Sequence, residues 1–292
     1  MTRRMNGMPH TGTPIAETYL EFAEAELAGN CAVYEALCRG IAADPAVLRL
    51  IEDLPLPKRQ PNLILAATRW HDAPLESYPD YREWTLAHWD AVRETAMRRR
   101  TQTNEPGRMR VIAPVLARLP QPLALLEVGA SAGLCLYPDR VVDPALRVAW
   151  RAGIDLNPLD INDPDHVRWL ECLVWPSQPD RLERLRRTID VARAEPPLLV
   201  QGDLTTDLDP LIARAPADAT LVVFHTAVLV YVARDGRAAF RATVADLGAT
   251  WIACEGAPIL DFEPGPPDAM ALALNGRRVA WADGYGAWLS WG

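Results

Sequence analysis

Apolar positions follow a helical spacing through the first third of the chain. From residue 15 to residue 118 they recur at three- and four-residue steps, and strand-like alternation is scarce. Asp44-Pro45 is a typical helix start, with Asp as the cap and Pro in the first turn. The pattern predicts a polar, disordered segment at 1–14 and an all-helical N-terminal region at 15–118. Its predicted helices are 18–27, 32–42, 47–53, 62–69, 81–99 and 106–118.

The pattern changes after Leu119-Pro120-Gln121-Pro122, where short apolar runs begin to alternate with helical segments. This alternation predicts β-α-β units and a parallel sheet within a second region, 119–292. Asn275-Gly276, between apolar runs at 271–274 and 278–281, predicts an antiparallel hairpin at the end of that sheet. The predicted strands are 123–128, 151–156, 198–201, 220–225 and 250–255, and the predicted helices are 164–173, 179–194, 208–215 and 234–247.

Composition places the chain among ordinary globular proteins. Of its 292 residues 49% are hydrophobic and 23% are charged. The net charge of −8 disfavours general binding to nucleic acid. A local group of arginines (Arg98, Arg99, Arg100, Arg108 and Arg110) is interpreted either as one solvated helix face or as a basic patch.

The cysteines and the apolar runs indicate a cytoplasmic protein. The five cysteines show no C-x-x-C spacing, which is typical of free thiols in a reducing compartment and predicts no metal site. No secretory signal is evident, and the longest apolar-rich run, 221–232, is too short to span a bilayer. We therefore expect no membrane partner.

The first candidate motif is a loop of small residues directly after the first predicted strand. Gly129, Ser131 and Gly133 follow Glu127 and Val128. Small residues let a backbone approach a nucleotide-like ligand closely, and exposed N–H groups bind its polar atoms. A tight strand-to-helix turn without a ligand is the alternative.

Two aspartates stand at the ends of the next two strands. Asp155 ends the second strand, where a carboxylate can accept hydrogen bonds from both hydroxyls of a ribose. Asp203 follows the third strand, where it could accept a hydrogen bond from the amino group of an adenine. The alternatives are an Asx turn before Pro158 and an ordinary loop aspartate.

His225 ends the fourth strand, which is largely apolar as a buried parallel strand should be. A histidine at this edge of a sheet could act as a general base near neutral pH. A structural histidine bonded to a backbone carbonyl is the alternative.

A polar cluster precedes the predicted helix 106–118, which in turn precedes the first predicted strand. It consists of Gln102, Thr103, Asn104 and Glu105. A helix over 106–118 and the strand over 123–128 would each be about 20 Å long, so the start of the helix should return to the level of the glycine loop. The cluster is therefore a candidate lid over cofactor or substrate. Helix capping by Asn104 or Glu105 is the alternative.

Taken in order, these features over residues 105–292 resemble class I S-adenosylmethionine-dependent methyltransferases. The resemblance implies a Rossmann-like, mostly parallel α/β sheet with a C-terminal antiparallel hairpin, and S-adenosylmethionine as the cofactor. The cofactor-binding residues would be Glu127, Gly129, Ser131, Gly133, Asp155 and Asp203, with His225 catalytic. Ser131 departs from the usual glycine, the stretch from Asp155 to Asp203 is about one helix longer than usual, and no Asn-Pro-Pro-Tyr-like motif follows the fourth strand.

Nearly the whole chain after residue 15 is also similar to an uncharacterised bacterial family, DUF2332. The similarity is carried by Arg100 to Glu105, Glu127 to Leu134, Gly153 to Asp160 and Val223 to Leu229. It implies the two-part layout and supplies no substrate.

Three functions therefore stand as hypotheses. The first is a methyltransferase acting on a small molecule, with the helical region shaping the acceptor pocket. The second is an NAD(P)-dependent oxidoreductase using the same glycine loop, although a Tyr-x-x-x-Lys pair is missing. The third is a methyltransferase-like protein that binds a ligand or a partner without catalysis.

Overall fold

The computed structural model describes residues 13–292. Of the segment predicted to be disordered, 1–14, residues 1–12 lie outside the described residues. The described helices are α1 (Ile15–Phe22), α2 (Ala32–Ala42), α3 (Pro45–Glu52), α4 (Pro61–Trp70), α5 (Tyr78–Arg98), α6 (Met109–Leu116), α7 (Pro138–Val141), α8 (Pro164–Cys172), α9 (Pro179–Ala194), α10 (Asp209–Ile212) and α11 (Arg234–Asp246).

Eight strands form one sheet, and most of their bounds lie close to the predicted ones, although the second strand begins at Val148, three residues before its predicted start. They are β1 (Leu123–Val128), β2 (Val148–Asp155), β3 (Leu198–Gln201), β4 (Thr220–Thr226), β5 (Thr250–Gly256), β6 (Met270–Leu274), β7 (Arg277–Ala282) and β8 (Leu289–Trp291). The predicted α/β class, with a helical N-terminal region, is confirmed.

The chain divides into two compact units. Among the described residues, the first contains 13–103 together with Pro164–Leu182, and the second contains Asn104–Asp163 and Glu183–Gly292. The sequence pattern had predicted the boundary between the two regions after residue 118, and it had assigned α8 to the region that contains the sheet.

Contacts within the first unit explain why α8 belongs to it. Helix α4 packs against α5 and α8. The buried Trp169 on α8 donates its indole N–H to the carbonyl of Arg100 at 2.9 Å. Arg69 on α4 donates to the carbonyl of Glu171 at 3.2 Å. Asp44 caps α3 as predicted, since its Oδ1 accepts the N–H of Ala46 at 2.9 Å.

The sheet of the second unit has the strand order β3-β2-β1-β4-β5-β6-β7-β8. The first five strands in this order are parallel, and β6, β7 and β8 add antiparallel pairings. The carboxyl ends of β1 to β5 therefore meet at one side of the sheet, the carboxyl edge. The order reverses between β1 and β4, and ligands of open α/β sheets bind at such a reversal.

The core of this unit holds the strands in place. Leu126, Val128 and Val223 are completely buried, and α11 packs Phe240 and Val244 into the same cluster. Asn275 and Gly276 have φ angles of 48° and 76°, as the predicted two-residue hairpin turn requires. No helix within residues 13–292 combines the length and the apolarity needed to cross a membrane.

Two predicted helices are shorter in the structure, and the segment after the glycine loop is only briefly helical. The stretch 106–118 is a 3-10 turn, Pro106–Arg108, followed by α6, and 208–215 shrinks to α10. The glycine loop leads only to a 3-10 turn, Leu134–Leu136, and the four-residue α7, because Pro138 and Pro144 prevent a longer helix. No long helix therefore begins at the glycine loop.

Candidate functional site

The glycine loop, residues 129–134, closes on itself and on its neighbours. Gly129, Ser131 and Gly133 have φ angles of 67°, 53° and 71°. Every backbone N–H from 129 to 134 has an acceptor inside the protein. The acceptors are Ile154 O for Gly129 and Ala130, Asp155 Oδ2 for Ser131, Asn104 Oδ1 for Ala132 and Leu134, and Ala130 O for Gly133. The loop has no unpaired N–H donor left for a ligand.

The glycines of the loop are required by packing as well as by conformation. A Cβ on Gly129 would lie 2.6 Å from Cγ2 of Val228, which follows β4. A Cβ on Gly133 would lie 3.0 Å from Leu199. The sequence had attributed these glycines to the approach of a ligand; the structure shows protein side chains at both positions.

Asp155 lies where the sequence placed it, at the end of β2 and beside the loop. Its Oδ2 accepts the N–H of Ser131 at 2.8 Å, and its Oδ1 accepts the N–H of Asn157 at 2.8 Å. The second bond is the Asx turn that the alternative interpretation expected. Asp155 remains partly exposed, so the carboxylate is reachable from solvent.

Asp203 lies beyond the end of β3 in a turn of its own. Its Oδ1 accepts the N–H of Thr205 at 2.8 Å and the hydroxyl of Thr205 at 2.7 Å. These bonds hold the pKa of Asp203 below its usual range. The side chain is partly exposed and ionised at neutral pH, so it could accept a hydrogen bond. Its role in binding adenine stays a prediction.

The polar cluster before α6 is divided between the two units. Asn104 belongs to the second unit and is 7% exposed, and its Oδ1 holds two N–H groups of the glycine loop at 3.2 and 2.9 Å. Glu105 caps the 3-10 turn by accepting the N–H of Gly107 at 2.7 Å and pairs with Arg184 at 2.8 Å. Gln102 and Thr103 belong to the first unit, and their role as a lid stays a prediction.

Glu127, which is the charged residue of β1, is 2% exposed. Its burial raises the pKa of the carboxyl well above the usual value, and the positive charge of Arg108 opposes this shift. The Cys135 thiol lies within hydrogen-bonding reach, whereas Glu127 Oε2 has no partner among the described residues. Glu127 is therefore protonated over more of the pH range than an exposed glutamate.

Arg108 links this acid to the end of β4. Its Nη1 donates to the carbonyl and to the hydroxyl of Thr226 at 3.3 and 3.1 Å, and its Nε donates to the carbonyl of Gly284 at 3.0 Å. The sequence had grouped Arg108 with surface arginines. Arg110 is exposed as that interpretation expected, whereas Arg108 is partly buried at the carboxyl edge.

His225 is sealed inside the protein rather than presented at the edge. The ring is completely buried, its Nδ1 lies 2.7 Å from Glu255 Oε1, and the indole N–H of Trp251 donates to its Nε2 at 3.0 Å. Because Nε2 accepts, the proton of the neutral ring is on Nδ1 and is donated to Glu255. Both nitrogens are thus engaged by side chains, which favours a positioning role over the general-base role.

Glu255, at the end of β5, is the residue that the sequence interpretation missed. It is 1% exposed, and its Oε1 also accepts the N–H groups of Val228 at 2.7 Å and Leu229 at 3.0 Å. Its carboxylate therefore fixes the loop that follows β4. Its position at the end of a parallel strand, the same signal that selected Asp155, could have identified it.

A cavity of about 320 Å³ opens beside the glycine loop. Its wall includes Ala132 of the loop, residues 158–162 after β2, and Leu199 on β3. The N–H of Leu159 donates to the carbonyl of Ser131 at 3.0 Å, which ties the segment after β2 to the loop. The cavity is mainly apolar near β3 and polar near Asp160 and Asn162.

Within residues 13–292 no three His, Cys, Asp or Glu side chains are placed to hold an ion. All five cysteines of the sequence lie in this range, buried and as free thiols.

A comparison with known protein families gives one match. The profile of a family described as "Uncharacterized protein conserved in bacteria (DUF2332)" matches residues 68–143 and 141–291. None of the curated proteins and none of the solved structures compared with the chain matches it. Since the matched segments cover most of the chain, the protein belongs to this bacterial family, DUF2332.

Proposed function

We propose that the protein is an S-adenosylmethionine-dependent methyltransferase acting on a small molecule, with the cofactor bound between the glycine loop and the end of β2. The observation that carries this proposal is the bonding of the loop. Its N–H groups are all engaged, and its closing partner is the carboxylate of Asp155. A site of this kind suits a ligand with hydroxyl and cationic groups.

The same bonding argues against a dinucleotide. A pyrophosphate bound at a glycine loop needs unpaired N–H donors and the start of a long helix. Here both are missing from residues 129–141, since the N–H groups of the loop are occupied and α7 has four residues. The NAD(P)-dependent oxidoreductase is therefore the weaker hypothesis.

The acidic groups around the loop fit S-adenosylmethionine. The Asp155 carboxylate is partly exposed, and its two oxygens accept the backbone N–H groups of Ser131 and Asn157. Because a carboxylate oxygen can accept more than one hydrogen bond, Asp155 could also accept ribose hydroxyls from the solvent side. The cofactor carries a sulfonium and an amino group, and both are favoured near carboxylates.

The strand order supplies further support. The carboxyl ends of β1 and β2 lie next to the reversal between β1 and β4, where open α/β sheets bind ligands. The cavity of about 320 Å³ beside Ala132 and Leu199 lies within the usual size range for small-molecule sites. We place the adenosine part of the cofactor there.

The cofactor supplies an activated methyl group at its sulfonium, and methyl transfer then depends mainly on proximity and alignment. The chain's own contribution would be to orient the reactants and exclude water. Because His225 is sealed, the acceptor's proton would have to leave through another group or through solvent. The same observation favours a second candidate, a protein that binds S-adenosylmethionine without transferring its methyl group.

Isothermal titration calorimetry with four ligands tests the proposal. S-adenosylmethionine and S-adenosylhomocysteine should bind, and NAD and NADP should not. Asp155→Ala should weaken binding by about 1–3 kcal/mol, since a charge-assisted acceptor is lost. Asp218→Ala, an exposed aspartate just before β4, is the matched control and should bind like the wild type.

The outcomes separate the hypotheses. If the folded protein binds neither S-adenosylmethionine nor S-adenosylhomocysteine at millimolar concentration, the cofactor assignment is wrong. Binding of NAD instead would favour the oxidoreductase. Binding without methyl consumption across a panel of small-molecule acceptors would favour the non-catalytic protein.

A further inference from the structure

A second cavity, of about 360 Å³, lies between α11 and the turn that follows β5. Three arginines line it, Arg234, Arg237 and Arg241, together with a single acid, Asp261. Spacings of three and four residues place the three arginines on one face of the helix. In a chain with a net charge of −8, this is a local excess of positive charge.

The arginines are only partly neutralised by the protein. Arg241 pairs with Asp261 at 2.9 Å and donates to the carbonyl of Ile259 at 3.0 Å. Arg237 donates only to the carbonyl of Val232, at 2.8 Å, and Arg234 makes no hydrogen bond or ion pair within residues 13–292. Two guanidinium groups thus face the cavity without an acidic partner within ion-pair distance.

The three charges converge on one place. Arg241 lowers the pKa of Asp261 mainly through its hydrogen bond, and the charges of Arg234 and Arg237 lower it further. The three arginines line the same cavity and act on the same carboxylate, as a site for one oxyanion requires. Arg234 and Arg237 are also in the first turns of α11, where the helix dipole favours negative charge.

We propose that this cavity binds the phosphate group of a phosphorylated small molecule. A phosphate monoester carries close to two negative charges and three acceptor oxygens, and the planar fork of arginine matches these oxygens in pairs. The volume exceeds what one free phosphate ion needs and suits a small organic ester. The two cavities share no lining residue, so this proposal does not depend on the proposed cofactor.

The test is calorimetry at low ionic strength with two probes, inorganic phosphate and glycerol 3-phosphate. Both should bind the full-length protein, and tighter binding of the ester would identify the phosphorylated molecule rather than the free ion as the ligand. Arg234→Gln with Arg237→Gln should weaken binding by about tenfold or more per arginine. Arg214→Gln, at an exposed arginine after α10, is the control and should change nothing.

Asp261→Asn sharpens the test in the opposite direction. Asp261 has a φ of 60°, which asparagine tolerates, so the turn should be preserved. Removing its negative charge should tighten phosphate binding severalfold, whereas mere damage to the fold would weaken it. No binding at 10 mM of either probe, or equal binding by the double arginine variant, would overturn the proposal. Arginine-dependent binding of a DNA duplex without binding of either phosphate probe would also overturn it.

Discussion

The ends of β2 and β4 present the same pattern in the sequence and opposite environments in the structure. Each strand carries a titratable side chain near the carboxyl edge of one sheet: Asp155 is the last residue of β2, and His225 is the last but one of β4. Asp155 stays partly exposed and holds two backbone N–H groups of neighbouring loops. His225 is completely buried between Glu255 and Trp251. The sequence shows which titratable residues lie near strand ends, whereas their burial in the folded protein decides whether a ligand can reach them.

This difference assigns separate tasks to the two places. The end of β2 is accessible for binding, since Asp155 is partly exposed and the segment that follows β2 borders a cavity. The end of β4 is a buried polar network that fixes the following loop. Changes at β4 and β5 should therefore reduce stability, and changes at β2 should reduce binding.

Glu255→Ala should have the largest effect on stability. It would remove the acceptor shared by the Nδ1–H of His225 and by the N–H groups of Val228 and Leu229, of which the first and the last are buried. We expect a loss of about 3–5 kcal/mol in the free energy of unfolding, measured by urea denaturation.

Glu255→Gln keeps an oxygen acceptor and should lose less than the alanine variant. A loss below about 1 kcal/mol for Glu255→Ala would contradict the network. In that case His225 would again be a candidate base.

Asn104→Ala should come next, because it releases the glycine loop without touching either strand end. Its Oδ1 holds the N–H groups of Ala132 and Leu134, and both would be left buried without a partner. The expected loss is about 2–3 kcal/mol in the free energy of unfolding. Asn30→Ala is the control, because the exposed side chain of Asn30 donates one hydrogen bond, to the carbonyl of Glu26. If both variants lose the same amount, Asn104 does not hold the loop.

Glu127→Gln should give a smaller, pH-dependent effect. Burial raises the folded-state pKa of Glu127, so between its unfolded pKa and this raised pKa the folded state keeps a proton that the unfolded state has lost. Its contribution to the free energy of unfolding therefore falls as the pH rises, by at most about 1.4 kcal/mol per pH unit. Glutamine mimics the protonated acid and should remove this slope.

Urea denaturation at pH 5, 6, 7 and 8 measures the difference. The variant should gain on the wild type as the pH rises. A constant gap across this range would mean that Glu127 does not titrate in it.

Local signals predicted the sheet well. The apolar runs gave β1 and β3 with the bounds that the structure has, and Asn275-Gly276 gave the hairpin between β6 and β7. These features depend on residues close together in sequence. The glycine loop and Asp155 were also brought together as expected, because parallel strands share a carboxyl edge.

Contacts between residues far apart in the sequence are what the sequence pattern did not predict. The seal on His225 comes from Trp251 and Glu255 on the next strand, and an isolated strand pattern does not reveal them. The membership of α8 in the helical unit likewise depends on Trp169 reaching the carbonyl of Arg100. Arg108 was grouped with surface arginines because its partners, Thr226 and Gly284, lie far along the chain.

The proposed position of the cofactor can be tested by hydrogen exchange of the backbone with and without S-adenosylhomocysteine. With ligand at about 100 times its dissociation constant, exchange in the binding segments should slow by up to about 100-fold. We expect this protection in peptides covering 129–134 and 155–162, and none beyond the general stabilisation in peptides covering 251–256. Protection confined to 225–229 and 251–256, or no change anywhere in the folded protein, would contradict it.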